Sequence, residues 1–483
     1  MTRRIIGPFN RVEGDLEVQL DIHGDVVSNA WVVSPMYRGF EQMLHGKNPM
    51  DAMSYVPRIC GICSVAQSVA AAMAIAQAQG VSMPANGEYA ANLTLANENL
   101  SDHLTHFYMF FMPDFARETY QGEPWYPQIS ARFKALKGTA AKQMLPERSQ
   151  FMHMMGILAG KWPHTLSIQP GGSTRGIKAE EKVRLLTTLH QFRTFLETTM
   201  FADSLENITN LKSAEELKVW TENEAHANSD FGLFLGVADA LQLGELGRAA
   251  DHFMSFGCYP VAGKRLLAQG VWKDGQVQPL NTGLITEDIS HSWMANEQDP
   301  RHPFDGKTQP DPDMKDGYSW CKAPRLGGEV VEVGALARQL VNGHPLIESL
   351  VKQSGGNVHS RVVARLLELA IVSLEMEKWV KAIVPNEPFC ALVSMPDEGQ
   401  GMGLMEAARG SLGHWLKIKN GRILNYQIIA PTTWNFSPRD KDEKLGALEL
   451  ALLGAPVREG ETAPVSIQHI VRSFDPCMVC TVH

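Results

Sequence analysis

The stretch Pro-Arg-Ile-Cys-Gly-Ile-Cys at residues 57–63 is matched by a second stretch, Asp-Pro-Cys-Met-Val-Cys, at residues 475–480. Each contains two cysteines separated by two residues, and together they offer four thiols to a soft metal. The pairs lie 414 positions apart (477 minus 63), and the second lies in a segment that would fray in most proteins. This pattern predicts that the fold buries its C-terminal segment against the first pair, around a bimetallic site that closes late in folding.

The bulk composition is that of an ordinary globular protein with a large core, because 44% of the 483 residues are hydrophobic and 20% are charged. No linker composition marks a boundary, so we predict one interlocked unit over residues 1–483. Its expected regions are a β-hairpin region over about 1–50, a helical core over about 51–400, and a β and loop region over about 401–483. The formal charge of −9, without a basic block, argues against a nucleic-acid partner.

The chain lacks the sequence features of export and membrane insertion. The N-terminal segment has no apolar core of a secretory signal, and no apolar run is long enough to span a membrane. The seven cysteines are an odd number, which suits reduced thiols and metal binding better than a disulfide framework. These features predict a cytoplasmic protein.

Hydrophobic periodicity predicts a mainly helical α+β fold, with a large helical bundle core and small peripheral β-sheets. Alternating apolar residues predict a hairpin over residues 15–34, and Asn-Gly predicts another over 416–423. The Ala-rich stretch 64–79 predicts a helix with Ser64 as its N-cap. Three further core helices and one long loop complete the expectation: 88–112, 178–203, 360–384, and the Pro-, Asp- and Gly-rich stretch 296–317.

The chemistry of the two cysteine pairs alone leaves two kinds of site open. A structural zinc site uses four such thiolates, but it sits most often in a compact module with short intervening loops. Nickel and iron also bind thiolates, and one sulfur can then bridge two metals. The wide separation of the pairs does not decide between these readings.

The residues around and between the pairs resemble one family over nearly the whole chain, from residue 10 to the end. The motifs occur in order and are dense, and they resemble those of the large, catalytic subunit of nickel–iron (NiFe) hydrogenases. They are Arg-Val-Glu-Gly at 11–14, Arg-Gly-Phe-Glu at 38–41, Arg-Ile-Cys-Gly-Ile-Cys at 58–63, His-Phe-Tyr at 106–108, Pro-Gly-Gly at 170–172, Tyr-Ser-Trp-Cys-Lys-Ala-Pro-Arg at 318–325, Ala-Arg-Gly at 408–410, Pro-Thr-Thr-Trp-Asn at 431–435, and Asp-Pro-Cys-Met-Val-Cys-Thr-Val-His at 475–483.

The resemblance assigns a role to each of the four cysteines. In that family they hold nickel, and two of them bridge to an iron that carries one carbon monoxide and two cyanides. Cys60 and Cys477 would be terminal nickel ligands, and Cys63 and Cys480 would be the bridging ones. The resemblance implies heterolytic cleavage of H₂ to a proton and a hydride, with Cys477 and then Glu13 taking the proton away. Read alone, Glu13 is equally an exposed glutamate after a turn.

The resemblance also implies a set of residues around the metals. Arg409 resembles an arginine over the open coordination site, and Asp114 and Asp475 resemble the carboxylates that hold it, since a buried arginine without partners is costly. Pro431 and Thr432 match positions whose backbone and hydroxyl groups contact the cyanides. Read alone, Arg409 is an ordinary surface arginine and the Pro-Thr-Thr stretch is a loop.

A second metal and a partner subunit follow from the same resemblance. Glu41 and His483 resemble ligands of a buried Mg²⁺, or another divalent cation, near the C-terminus; oxygen ligands suit Mg²⁺, whereas an imidazole ligand is atypical for it. The other cysteines, Cys258, Cys321 and Cys390, have no partners at ligand spacing. The chain therefore has no ligand set for an iron–sulfur cluster, and a small iron–sulfur subunit is the expected partner, with a dimer of heterodimers as a further option.

Several residues depart from the common family pattern. Ile62 stands where many relatives carry valine, and Phe110 stands where leucine is usual; both would narrow the end of a gas channel. Gln67 replaces a histidine near the bridging cysteine, and an amide cannot titrate near neutral pH. The sequence stops at His483, so it is either the mature form or a chain encoded without the usual removable extension. Asp15 stands where histidine is usual, and nothing in the sequence indicates what this replacement changes.

These departures resemble the H₂-sensing regulatory hydrogenases, which oxidise H₂ slowly, tolerate O₂ and report to a histidine kinase. This is the first functional hypothesis. The second keeps the chemistry but assigns the chain to an uptake hydrogenase that feeds a respiratory chain. The third is a zinc-stapled scaffold without enzymatic activity.

Overall fold

Two long helices, α4 (Ala85–Thr105) and α15 (Val358–Ala382), pack against each other, and most of their side chains are buried. The structure, a computed structural model, describes residues 2–295, 299–458 and 460–483. Helix accounts for 45% of the residues and strand for 18%. The predicted mainly helical α+β fold with small sheets is therefore confirmed. The main hydrophobic core runs from Ile6 to Cys480, so it includes both ends of the chain.

The helices are numbered in chain order. They are α1 Phe40–Leu44, α2 Ala52–Tyr55, α3 Ser64–Gln79, α4 Ala85–Thr105, α5 Tyr126–Phe133, α6 Thr139–Met152, α7 Met154–Leu158, α8 Ala179–Phe195, α9 Leu205–Thr209, α10 Ala214–Trp220, α11 Glu224–Ala227, α12 Asp230–Ala240, α13 Ala335–Val341, α14 Pro345–Ser354, α15 Val358–Ala382, α16 Pro431–Asn435, α17 Ala447–Leu452, α18 Val465–Ser473 and α19 Met478–Thr481. Two π-helical turns continue α4 and α8: His106–Phe111 and Leu196–Met200.

The strands form small antiparallel sheets at the rim of the helical core. The three-stranded sheets have the orders β1-β2-β3, β10-β9-β6 and β13-β14-β15, and the two-stranded ones pair β4 with β5, β7 with β8 and β11 with β12. Their bounds are β1 Thr2–Ile6, β2 Glu17–His23, β3 Val26–Val33, β4 Ile168–Gln169, β5 Gly172–Ser173, β6 His252–Ser255, β7 Cys258–Val261, β8 Lys264–Leu267, β9 Gly270–Lys273, β10 Gln276–Gln278, β11 Ile285–Asp288, β12 Ala323–Leu326, β13 Gly399–Ala407, β14 Gly410–Lys419 and β15 Arg422–Ile429.

Most of the elements predicted from periodicity are present. The hairpins are β2–β3 and β14–β15, and the four predicted helices are α3, α4, α8 and α15. The predicted loop over 296–317 holds only the short 3₁₀ turn Pro303–Asp305 in its described part, and 296–298 lie outside the described residues. The N-terminal hairpin gains a third strand, β1, which pairs with β2 from Thr2↔Ile22 to Ile6↔Val18.

The region expected as a helical core, about residues 51–400, also contains several of the small sheets. Strands β6–β12 occupy residues 252–326, and β9 and β10 are joined at Asp274 and Gly275, both with positive φ. An Asp-Gly pair is a hairpin signal because both residues of a type I′ turn need positive φ. That signal, flanked by Val271-Trp272 and Val277, was the local indication of this sheet.

Helix α3 lies directly against strand β13, and this contact positions the first cysteine pair. A Cβ on Gly403 would lie 1.8 Å from the carbonyl oxygen of Ala70, and a Cβ on Gly401 would lie 2.0 Å from that of Ala74. Only glycine allows the strand backbone to approach the helix this closely. The helix that begins after Cys63 is thereby fixed to the sheet that leads to Arg409.

Replacing Gly403 by alanine should destabilise the protein by roughly 1–3 kcal/mol or more, because the new methyl group meets backbone rather than a movable side chain. The free energy of unfolding in denaturant measures the effect. Gly236, inside α12 with no atom within 4 Å of its would-be Cβ, is the matched control. Gly236→Ala should stabilise slightly, by about 0.5–1 kcal/mol. Equal stability of the two variants would contradict the close packing of α3 on β13.

Among the described residues, every helix is too short or too polar to cross a membrane.

Candidate metal centre

The four cysteines of the two pairs meet in one buried cluster. Their sulfur atoms all lie within 4.8 Å of one another. The Sγ atoms of Cys60 and Cys477 are 3.5 Å apart, those of Cys63 and Cys480 are 3.1 Å apart, and those of Cys477 and Cys480 are 3.1 Å apart. Each residue is at most 6% exposed. The predicted meeting of the two pairs is therefore confirmed, and the C-terminal segment is buried as expected.

Local structure presents each pair from the start of a helix. Cys63 occupies the N-cap position of α3, and Cys477 occupies that of α19. Ser64 is the first helical residue, so its prediction as the N-cap is wrong. The carboxylate of Glu98 caps α3 instead, because its two oxygens accept the backbone N–H groups of Val65 and Ala66 at 2.9 Å each.

The segment before residue 14 holds the second pair in place. The backbone of Glu13 forms a parallel bridge with Cys477, in which the N–H of Met478 donates to the Glu13 carbonyl at 2.7 Å. The N–H of Cys477 donates to the hydroxyl oxygen of Thr432 at 3.1 Å. Thr432 and Pro431 are buried in the first turn of α16, and their expected contact with the cyanides stays a prediction.

The protonation state of each of the four thiols depends on the other three. Hydrogen bonds from the other thiols, that of Cys477 foremost, hold the pKa of Cys60 well below its ordinary value. The same set of contacts raises the pKa of Cys63 and Cys480 well above it. Four thiols this close cannot all ionise without a cation, because like charges in a dry site repel. The buried donor set fits a soft metal such as nickel, and on geometry alone it also fits zinc.

Arg409 is buried between two carboxylates next to this cluster. Its guanidinium donates to Asp102 at 2.5 and 3.2 Å and to a carboxylate oxygen of Asp475 at 3.2 Å, and its Nε donates to the Asp475 carbonyl at 2.9 Å. Burial opposes the charge, but Asp102, Asp475 and the thiols raise the pKa of Arg409 well above its ordinary value. Arg409 is therefore a permanent, fixed cation rather than a surface arginine.

The prediction that Asp114 holds Arg409 is wrong, because Asp102 has that position. Asp114 lies beyond the π-helical turn and faces the N-terminal segment, where it pairs with Arg11 and, at 2.6 Å, with Arg472. Burial opposes ionisation of Asp114, but these cations and the His469 side chain hold its pKa well below the usual range. Its role is to join the segment before residue 14 to α18.

Replacing Asp114 by asparagine should destabilise the protein by about 3–5 kcal/mol, because Arg11 and Arg472 lose their shared buried counter-ion. Turnover per bound nickel should stay within a few-fold of wild type. Asp102→Asn, the matched variant, should lower turnover per nickel because it removes a partner of Arg409. Denaturant unfolding and turnover normalised to nickel measure both effects. A larger loss of normalised turnover in Asp114→Asn would contradict the reassignment.

Glu13 is half-buried beside Cys60. Burial, and then the nearby charge of Cys60, raise the pKa of Glu13 above its ordinary value, whereas Arg409 lowers it. A carboxyl group with a raised pKa next to a thiol is suited to accept and release a proton. The half-buried side chain excludes a fully exposed glutamate, and the relay role stays a prediction.

Gln67 lies one helical turn after Cys63, and side chains at this spacing share a face of the helix. Its Oε1 is 2.8 Å from Nε2 of His414, whose Nδ1 is 2.8 Å from the Tyr426 hydroxyl. Its Nε2 is buried and has no hydrogen-bond partner among the described residues. An amide N–H can donate to a cysteine sulfur, but this group makes no such hydrogen bond here and remains available as a donor.

Glu41 and His483 lie together near the C-terminus, with Oε1 and Nε2 3.2 Å apart. The Lys322 ammonium lies 3.0 Å from the other Glu41 oxygen and 3.5 Å from Glu287. These residues line a cavity of about 10 Å³, and Oε1 of Glu287 has no hydrogen-bond partner among the described residues. Two carboxylates outnumber the one ammonium here, so the donor set fits one small divalent cation.

The two residues expected at a gas channel are both partly exposed. Ile62 packs against the main hydrophobic core beside the cysteine cluster, and Phe110 lies on the π-helical turn that follows α4. Their effect on gas access stays a prediction.

Sequence reasoning missed four buried polar residues around the cluster. For Glu98 and Asp102 the signal was present in α4, where polar side chains interrupt a helix that the apolar periodicity places in the core. A buried polar group needs a partner, so each such residue marks an internal contact. The four residues are Glu98, Asp102, Lys322 and His414.

Comparisons with known proteins agree on one family. A family model described as nickel-dependent hydrogenase matches residues 38–120 and 142–483. The periplasmic NiFeSe hydrogenase large subunit of Desulfomicrobium baculatum is 30% identical over 514 residues, which cover 99% of this chain and 94% of that protein. The uptake hydrogenase large subunit of Cupriavidus necator is 26% identical over 598 residues, with 100% and 95% covered. The solved Ni-Fe-Se hydrogenase from D. vulgaris Hildenborough, in its as-isolated oxidized state, superimposes with a TM-score of 0.85 at 28% identity over 100% of both chains.

Proposed function

The chain belongs to the nickel-dependent hydrogenase family as a large subunit, and we propose that it is the H₂-activating subunit of an H₂-sensing hydrogenase. Family membership makes it an enzyme that activates H₂ at a nickel–iron site and pairs with a small subunit. The sensing role, a histidine kinase as signal partner and a cytoplasmic location are the parts we propose. The proposal rests on one observation: a buried amide, Gln67, lies one helical turn after Cys63.

The four thiols would hold the metals, with Cys63 and Cys480 bridging nickel and iron and Cys60 and Cys477 bound to nickel only. The centre they hold, expected to carry carbon monoxide and two cyanides on iron, would supply the chemistry of heterolytic H₂ cleavage. Pro431 and Thr432 would face the cyanides. Thr432 accepts from the Cys477 N–H, so its own hydroxyl proton stays available to donate.

Residues of this chain would accept the proton and transfer it away from the metals. Cys477 would receive it, and Glu13, whose backbone is bridged to Cys477, would take it onward. The pKa of the Glu13 carboxyl group is raised toward neutral pH, which makes the group better suited to accept and release a proton there. Arg409 would hold a fixed positive charge beside the reacting H₂, since Asp102 and Asp475 keep its guanidinium in one position.

The divalent cation would lie between Glu41 and His483. His483 Nδ1 is also 2.7 Å from the carbonyl oxygen of Cys480, so a cation there would tie the C-terminal residue to the second cysteine pair. Electrons would leave through iron–sulfur clusters of the small subunit.

An uptake hydrogenase is the second candidate, because the Cupriavidus necator relative is named an uptake hydrogenase and the Desulfomicrobium baculatum relative a periplasmic one. Turnover of the purified heterodimer with an artificial acceptor, with and without air, separates the two functions. The sensor should turn over slowly and keep its rate in air. Fast turnover that air abolishes would overturn the sensor proposal and favour uptake. Zinc in place of nickel would support the scaffold hypothesis instead.

The double variant Ile62→Val and Phe110→Leu should lose activity in air several times faster than wild type, because both changes remove bulk from the expected gas channel. The rate of H₂ oxidation before and after exposure to O₂ measures this loss. Leu136→Ala is a suitable control, since that side chain is 96% exposed and its truncation removes no buried bulk. Unchanged air tolerance of the double variant would contradict the narrowing of the channel.

A further inference from the structure

A chain of three buried side chains leads away from the first cysteine pair. Gln67 on α3 contacts His414 on β14, and His414 contacts Tyr426 on the neighbouring strand β15. Each of the three is at most 2% exposed. The close packing of α3 on β13 and β14 brings these side chains together. None of the roles assigned above uses His414 or Tyr426.

The hydrogen positions in this chain follow from counting donors and acceptors. Nδ1 of His414 is the only hydrogen-bond partner of the Tyr426 hydroxyl among the described residues. A buried hydroxyl proton without an acceptor is costly, so the hydroxyl donates to Nδ1. A neutral imidazole has one N–H, which must then be on Nε2. Burial lowers the pKa of His414 to about 3, so the ring is neutral at physiological pH.

This tautomer fixes the direction of the Gln67 amide. The Nε2–H of His414 needs an acceptor, and the amide oxygen of Gln67 lies 2.8 Å away. The amide NH₂ is then the end that points away from His414. It is buried without a partner among the described residues, on the helix face that carries Cys63. With the opposite flip, Nδ1–H of His414 would donate to the Tyr426 oxygen, and the buried Tyr426 hydroxyl proton would have no acceptor among the described residues.

We propose that Tyr426 and His414 are positioning residues that hold the Gln67 amide with its NH₂ group toward the thiols of the metal centre. An NH₂ group is a donor, and thiolate sulfur bound to a metal is an acceptor that such a donor stabilises. The inference rests on the proposed function, because its acceptor exists only when the centre is assembled.

Infrared bands of the carbon monoxide and cyanides in the purified heterodimer test the inference, since they report electron density at the metals independently of turnover. Gln67→Met keeps the size of the side chain and removes the donor, so it should shift the bands. Tyr426→Phe removes only one hydroxyl and should also shift them. In the Gln67→Met background, Tyr426→Phe should add no further shift, because its effect passes through Gln67.

Two further variants keep the outcome decisive. Tyr108→Phe removes a buried hydroxyl that donates to Asp230 at 2.5 Å, and it should leave the bands in place. His414→Leu breaks the same chain and should repeat the Tyr426→Phe shift if the latter variant assembles poorly. Unmoved bands in Tyr426→Phe, or an equal shift with and without Gln67, would overturn the inference while leaving the hydrogenase function intact. A wild-type protein without these bands would overturn the proposed metal centre, and the inference with it.

Discussion

Replacing Cys480 by serine should remove nickel from the purified protein and abolish H₂ oxidation. A hydroxyl is a hard donor that stays protonated in a buried site, so it cannot replace a soft thiolate. Loss of even a residue that only orients a ligand costs about 10–100-fold in metal affinity, and loss of a ligand should cost at least that much. Metal analysis and H₂-dependent dye reduction measure the two effects.

Cys258→Ser is the matched control for this prediction. Cys258 is as buried as the cluster cysteines, and burial raises the pKa of its thiol, but it lies outside the group of four. The control variant should keep its nickel and its turnover. A Cys480→Ser protein that retains wild-type nickel would contradict the four-thiol centre.

Replacing Arg409 by lysine should lower turnover per nickel by about 10²–10³-fold, the range measured when one fixed charge-stabilising donor is removed from an active site. Lysine keeps the charge, but it cannot bind Asp102 with two nitrogens and reach Asp475 at the same time. Nickel content and the carbon monoxide and cyanide bands should stay near wild type, because Arg409 is not a ligand.

Arg132→Lys provides the comparison for Arg409→Lys. Arg132 also binds a carboxylate through two nitrogens, at 2.6 Å each to Asp230, but this pair lies away from the thiols. Its replacement should cost stability and leave turnover per nickel unchanged. Similar losses of turnover in the two variants would mean that Arg409 acts only through folding.

The fold prediction was correct for elements whose own local sequence determines their structure. The Ala-rich stretch became α3 over the residues expected, Ser64–Gln79, because its residues favour helix and Gly80 ends it with positive φ. The Asn420-Gly421 turn formed the β14–β15 hairpin for the same local reason. Strand β1 was missed because its five residues hold two arginines and gain stability only from pairing with β2.

Contacts between distant segments were the harder part of the site. Asp102 and Asp114 are twelve positions apart near the end of α4, and nothing local tells which of them faces Arg409. The π-helical turn between them changes the direction in which the following side chains point. Asp114 therefore faces Arg472, whereas Asp102 lies beside the thiols. The cysteines themselves could be placed because their chemistry, rather than their local structure, requires them to meet.

The bridge between Glu13 and Cys477 has a consequence for the timing of synthesis. Translation adds roughly 5–20 residues per second, so Cys60 and Cys63 leave the ribosome on the order of 20–80 s before the second pair is made. During that interval two thiols of the final centre are present without their partners, open to oxidation and to the wrong metal. The second cysteine pair, made more than 400 residues after the first, thus decides when the metals become enclosed, and we expect nickel to be delivered before this segment docks.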